Sequence, residues 1–114
     1  MDPWKTRLHA ELERGETARQ RGNEGQARVC ARRAAGIAVR EYASRQGRTS
    51  ASASVMDLFK ELELDPALSP SLRTTLEHLS RRVDTSFQLP PGMDLLQEAR
   101  RLCDALLPDW NETA

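Results

Sequence analysis

Arginine is the residue type most able to do chemistry in this chain, and four arginines gather on one stretch. Arg28 and Arg32 stand one helical turn apart, and Arg33 and Arg40 stand two turns apart. Rows of this kind hold phosphates or carboxylates in two-pronged hydrogen bonds. They grip a phosphate backbone without reading its sequence. The competing reading is internal: the same four side chains bridge to Glu24, to Glu41 or to the acidic C-terminal half. Tyr42 is the one aromatic close to them, so the spacing offers no base-stacking platform.

Other chemistry is poorly supplied. Cys30 and Cys103 lie far apart, and His9 and His78 are distant from both and from each other. A zinc site needs about four ligands at short spacings, so no metal site and no cofactor is expected. Both cysteines fall at apolar helix positions, which predicts buried, reduced thiols. The chain has no Gly-Lys phosphate loop, no Gly-x-Gly-x-x-Gly run and no Gly-x-Ser-x-Gly elbow.

Charge is balanced overall but not along the chain. Of 17 basic and 17 acidic residues, residues 1–50 carry eleven basic and six acidic, and residues 51–114 carry six and eleven. The halves therefore differ by ten charges. Either they attract each other on packing, or the basic half faces an anionic partner. With 39% hydrophobic residues and zero net charge, the 114 residues suit one folded domain rather than a disordered chain. No run approaches 18 apolar residues, so no membrane span is expected. Met1 to Lys5 resembles no secretory leader, and the expected compartment is the cytoplasm.

Five helical segments must position these groups. Asp2-Pro3 starts the first, which runs from about Trp4 to Arg21 with a thin stripe of Trp4, Leu8, Leu12, Gly15 and Ala18. Gly22 to Gly25 makes the turn into an alanine-rich second helix, about Gln26 to Arg45, whose small residues let neighbouring backbones approach. Gly36 there costs about 1 kcal/mol of helix propensity relative to Ala, so a small residue is wanted for packing. Gln46 to Ala53 reads as a loop. Ser54 caps a short helix carrying Val55, Met56, Leu58, Phe59 and Leu62. Ser69-Pro70 opens the fourth, with Leu72, Leu76, Leu79 and Val83 as its seam. After the break at Leu89 to Gly92, the last helix carries Leu95, Leu96, Ala99, Leu102, Cys103 and Leu106. Residues 1–3 and 109–114 are expected to fray, with Trp110 able to dock. The pattern predicts a single all-α domain over residues 1–114. Its architecture is an up-and-down four-helix bundle with an additional short helix. Sparse aromatics and a weakly stocked first helix predict a two-fold homodimer.

This order of pieces resembles the HEPN family, the higher eukaryotes and prokaryotes nucleotide-binding domain. The resemblance rests on the Trp4-led first helix, the Gly22 turn and the Ala-rich run from Gly22 to Ala35. It extends through the short leucine-bearing helix and the two helices after it. It implies a dimeric bundle that binds a nucleotide or RNA ligand or a partner protein, including toxin–antitoxin-like pairing with a nucleotidyltransferase. It also implies a catalytic role for Arg73 and His78, because ribonuclease members carry an Arg, four to six residues, then a His. Here Thr74 follows the Arg and no Tyr follows His78, which departs from the active pattern. On a regular helix the two side chains diverge by about 140°, and His78 points away from its own leucine seam. One reading leaves His78 in solvent and pairs Arg73 with Glu77. The other places both in a cleft between protomers, with His78 as acid or base of a metal-independent endoribonuclease and Arg73 on a phosphate. A purely structural helical dimer or adaptor stands as the alternative of a different class.

Overall fold

The computed structural model describes residues 2–47, 54–80 and 93–112. All regular structure among them is α-helical, in the order α1 (Pro3–Gln20), α2 (Glu24–Arg45), α3 (Val55–Glu63), α4 (Pro70–Ser80) and α5 (Leu95–Leu106). Val83, the break at Leu89 to Gly92 and most of the loop after Gly47 lie outside the described residues.

The chain reverses between α1 and α2 through a glycine-led cap. Gly22 takes a φ of 78°, which L side chains rarely adopt. Its amide donates to the Arg19 carbonyl at 2.9 Å, and the Asn23 amide donates to the Ala18 carbonyl at 2.8 Å. This pair of bonds is the Schellman arrangement, and it satisfies carbonyls the helix end leaves open. Asn23 then caps α2 by accepting from the Gln26 amide at 3.1 Å. Helix α2 therefore begins at Glu24, two residues earlier than expected, because Asn23 supplies the capping oxygen. Ser54 and Ser69 cap α3 and α4 as the sequence predicts, accepting from the amides of Asp57 at 3.1 Å and Leu72 at 3.2 Å.

Helix α2 is the central element. Ala27, Cys30, Ala31, Ala34, Ala35, Ala38 and Val39 are all fully buried, and α2 packs against each of the other four helices. Its small side chains put backbones close together on several sides. A Cβ added to Gly15 of α1 would sit 3.2 Å from Cys30 Cβ and 2.5 Å from Leu96 Cδ2. At Gly36 an added Cβ would meet Val55 at 3.3 Å, which accounts for glycine inside the helix.

The leucine seams fill the rest of the core. All six apolar positions expected on α5 are buried, as are Leu76 and Leu79 of α4 and Leu58, Phe59 and Leu62 of α3. Met56 was expected in the stripe of α3 but is 45% exposed. It sits one residue round from Val55, on the side of α3 turned away from Leu58 and Leu62. Two polar residues join the core. Thr75 donates to Glu98 Oε2 at 2.8 Å, and Lys5 is buried beside Asp109.

Residues 109–112, where fraying was expected, make contacts with α1, α2 and α5. Trp110 is only 7% exposed. Its indole donates to Asp104 Oδ1 at 2.8 Å, and His9 stacks on it with centroids 5.2 Å apart. His9 Nε2 lies 2.9 Å from the Trp110 carbonyl oxygen. A carbonyl only accepts, so that nitrogen carries the proton. Asp109 meets Arg45 at 2.8 Å and the buried Lys5 at 3.6 Å. Burial of this large aromatic, together with the Asp104, Arg45 and Lys5 contacts, offsets the ordering of the terminal residues.

Candidate functional site

The two halves of opposite charge do attract each other. Arg19 joins Glu24 at 2.7 Å and Asp94 at 3.0 Å. Arg45 joins Glu41 at 2.9 Å as well as Asp109, and Arg100 joins Glu16 at 2.9 Å. Glu24 and Glu41, the partners expected for Arg28, Arg32, Arg33 and Arg40, pair with Arg19 and Arg45, and of the four only Arg32 makes an interaction with another group among the described residues.

The charge that remains is concentrated at one place. A groove of about 1130 Å³ is lined by α1, α2, α3 and the end of α4. Arg7 and Arg14 line it from α1, and Arg32, Arg33 and Arg40 line it from α2. Against these five arginines stand Glu11 and Glu41, an excess of three positive charges. Arg14 is engaged by Glu11 at 2.9 Å. Arg7, Arg33 and Arg40 are exposed and make no hydrogen bond or ion pair among the described residues. Between the arginines the lining is apolar, including Val29, Ile37, Val55 and Met56. Val29 and Met56 are 37% and 45% exposed and give the groove an apolar surface open to a partner.

The predicted phosphate-binding residues therefore separate. Arg32, Arg33 and Arg40 share the groove, whereas Arg28 lies outside its lining with its Nε buried and without a hydrogen-bond partner. Arg7 and Arg14 complete the site from the first helix. Their seven-residue spacing was the signal that could have found them, since it repeats the spacing of Arg33 and Arg40.

Arg73 and His78 lie elsewhere on α4 and do not line the groove. Arg73 donates from Nη2 to the Asp65 carbonyl at 2.9 Å, which ties α4 back to the turn before it. His78 is half-buried, and its Nδ1 is shielded without a hydrogen-bond partner. The expectation of a histidine facing solvent is corrected here. Helix α4 packs against α3, α2 and α5, so a single leucine seam understates how much of its surface is covered.

The remaining titratable groups are set by their surroundings. Burial pushes the Cys103 thiol up to about 12, and both cysteines are buried and free. The Arg45 guanidinium, hydrogen-bonded to Asp109, holds that carboxyl down to about 2. At Asp94 burial works upward, but hydrogen bonds from Arg19 and the Gln97 amide outweigh it and lower the pKa. No group of three or more metal-ligating side chains occurs among the described residues. No helix among them is long and apolar enough to cross a membrane. Compared with known proteins, the chain matches no family model, no curated protein and no solved structure.

Proposed function

We propose that this chain is a HEPN-like binding module: an up-and-down four-helix bundle with an added short helix, working as a homodimer, that captures an anionic ligand in the α1–α2 groove. The single observation that carries this reading is the set Arg7, Arg33 and Arg40. Three exposed guanidinium groups without carboxylate partners line one groove, while Arg14 in the same groove and Arg19, Arg45, Arg100 and Arg101 elsewhere pair with carboxylates. Unpaired like charges repel one another, and a bound anion relieves that repulsion. A nucleotide, an RNA or an acidic partner protein, including a nucleotidyltransferase in a toxin–antitoxin-like pair, supplies such an anion. The purely structural adaptor gives no reason for the unpaired arginines to gather.

Heparin chromatography tests this class of function without choosing among anions. The wild-type chain is expected to be retained at low salt, and an Arg33→Glu/Arg40→Glu double variant to elute earlier. Identical elution of the two folded proteins contradicts the reading. A metal-independent ribonuclease using Arg73 and His78 is the second reading, supported by the unpartnered buried Nδ1 of His78. RNA cleavage by the wild type that is lost in His78→Ala supports it, and equal behaviour of the two removes it.

A further inference from the structure

The groove's arginines are spaced as one helix sees another. Arg33 and Arg40 are seven residues apart on α2, and Arg7 and Arg14 are seven residues apart on α1. Seven residues of helix rise about 10.5 Å, so each of the two helices carries two guanidinium groups at that interval. The two helices run antiparallel, with Gly15 of α1 set against Cys30 of α2. Arg7 therefore falls near the level of Arg40, and Arg14 near the level of Arg33. Ile37 and Gly36 lie between the levels on the α2 side, Val29 lies one turn beyond Arg33, and Val55 and Met56 extend the apolar surface onto α3.

An anionic partner must match both the charge spacing and the apolar floor. We infer that the occupant is an acidic amphipathic helix of a partner protein, laid along α1 and α2. Its apolar side chains cover Ile37, Val29 and Met56, and carboxylates at seven-residue spacing among them meet Arg33 and Arg40, with another toward Arg7. A helix supplies carboxylates at the same 10.5 Å interval that α1 and α2 present. Single-stranded RNA fits less well. It needs open aromatic faces for its bases, and the Trp4 ring is already faced by Lys5 at 5.6 Å and Arg45 at 5.3 Å. Phe59, the other aromatic of the lining, is buried. This inference rests on the anion-binding reading above and narrows it to one class of partner.

The test uses the full chain and a designed probe. The probe is a fluorescein-labelled 18-residue helical peptide with a leucine stripe flanked by glutamates seven residues apart, and a twin has lysine at every glutamate. Fluorescence anisotropy is expected to show binding of the glutamate peptide and none of the lysine twin. Arg33→Glu or Arg40→Glu weakens it by about tenfold or more. Met56→Ser, which leaves charge unchanged, weakens it too. Arg21→Glu, an exposed change of equal charge outside the groove, leaves it within about twofold. A labelled 20-nucleotide single-stranded RNA runs in parallel. Tight RNA binding that depends on Arg33 and Arg40, with no peptide binding, overturns the helix partner while the anion-binding reading stands. Peptide binding that strengthens as the protein is diluted shows that a second copy of this chain fills the groove, and also overturns it. No dependence of any probe on Arg33 and Arg40 removes both readings. Circular dichroism of each variant confirms that helix content is unchanged.

Discussion

Arg45 closes a two-pronged hydrogen bond on Asp109, with Nη1 2.8 Å from Oδ1 and Nη2 2.9 Å from Oδ2. The residues are 64 positions apart, and the bond fixes the C-terminal tail to the last turn of α2. The same guanidinium lies over Trp4, and Lys5 reaches both Asp109 and the Glu112 carbonyl, the latter at 3.5 Å. One end of the hairpin and the tail are thus a single polar cluster.

Acid should open that cluster in a defined range. Asp109 has its pKa lowered from 3.8 to about 2, so its contribution is complete above the unfolded value. It is lost as pH falls through the folded one. Tryptophan fluorescence is expected to be flat from pH 7 to about 4 and to change between about 4 and 2, as Trp110 leaves His9. Asp109→Asn is expected to show the loosened tail already at pH 7. A transition centred near pH 6 contradicts the assignment to Asp109.

Close packing at Gly15 gives a stability prediction with an internal control. The added atoms of Gly15→Val collide with Leu96 and Cys30, both fully buried, and overpacking of this kind costs about 1–3 kcal/mol. At Gly25 an added Cβ meets only Asn23 Oδ1 at 3.8 Å, so Gly25→Ala is expected to be neutral or to stabilise by up to about 0.5 kcal/mol. Urea denaturation of the two variants measures both. Two changes of equal size and sign would contradict the close approach.

Asp94 has two roles that substitution separates. It caps α5 by accepting from the Gln97 amide at 3.1 Å, and it accepts from Arg19 Nη2 at 3.0 Å. Asp94→Ala is expected to cost about 1–2 kcal/mol, combining a lost cap and a lost half-exposed ion pair. Asp94→Asn keeps the cap and is expected to cost less than half of that. Equal losses on thermal denaturation would show that the ion pair, not the cap, carries the stability.

Both cysteines should be silent toward thiol reagents in the folded state. At pH 8 the Cys103 thiol, with its pKa near 12, is almost wholly protonated, and neither sulfur is exposed. Labelling with a disulfide reagent at pH 8 is expected to follow the global unfolding rate for Cys30 and Cys103 alike. Fast stoichiometric labelling of either would contradict the burial.

Much of the fold was legible because apolar spacing and capping chemistry act locally. The seams of α4 and α5, the Ser54 and Ser69 caps and the central alanine-rich helix follow from side chains read a few positions at a time. What the spacing did not reveal depends on distant partners. Lys5 is buried because Asp109 and Glu112 return to it from the far end of the chain. Trp110 is held by His9 and Asp104, and Met56 is exposed because of the direction in which α3 packs. The site divided in the same way. Arg32, Arg33 and Arg40 were readable as a row on one helix. Their sharing of a groove with Arg7 and Arg14 needed the hairpin to close. The pairing of Glu41 with Arg45 is an i,i+4 contact open to local reading, whereas that of Glu24 with Arg19 depends on the turn between α1 and α2.

The most direct measurement of the central claim is amide mapping by NMR during titration with a short heparin oligosaccharide, a polyanion that presents charge without a preference for any fold. Shifts are expected to cluster at Arg7, Arg33, Ile37 and Arg40 and to fade as salt rises. Shifts clustered at Arg73 and His78, or spread evenly over all exposed arginines, would contradict a binding face built from α1 and α2.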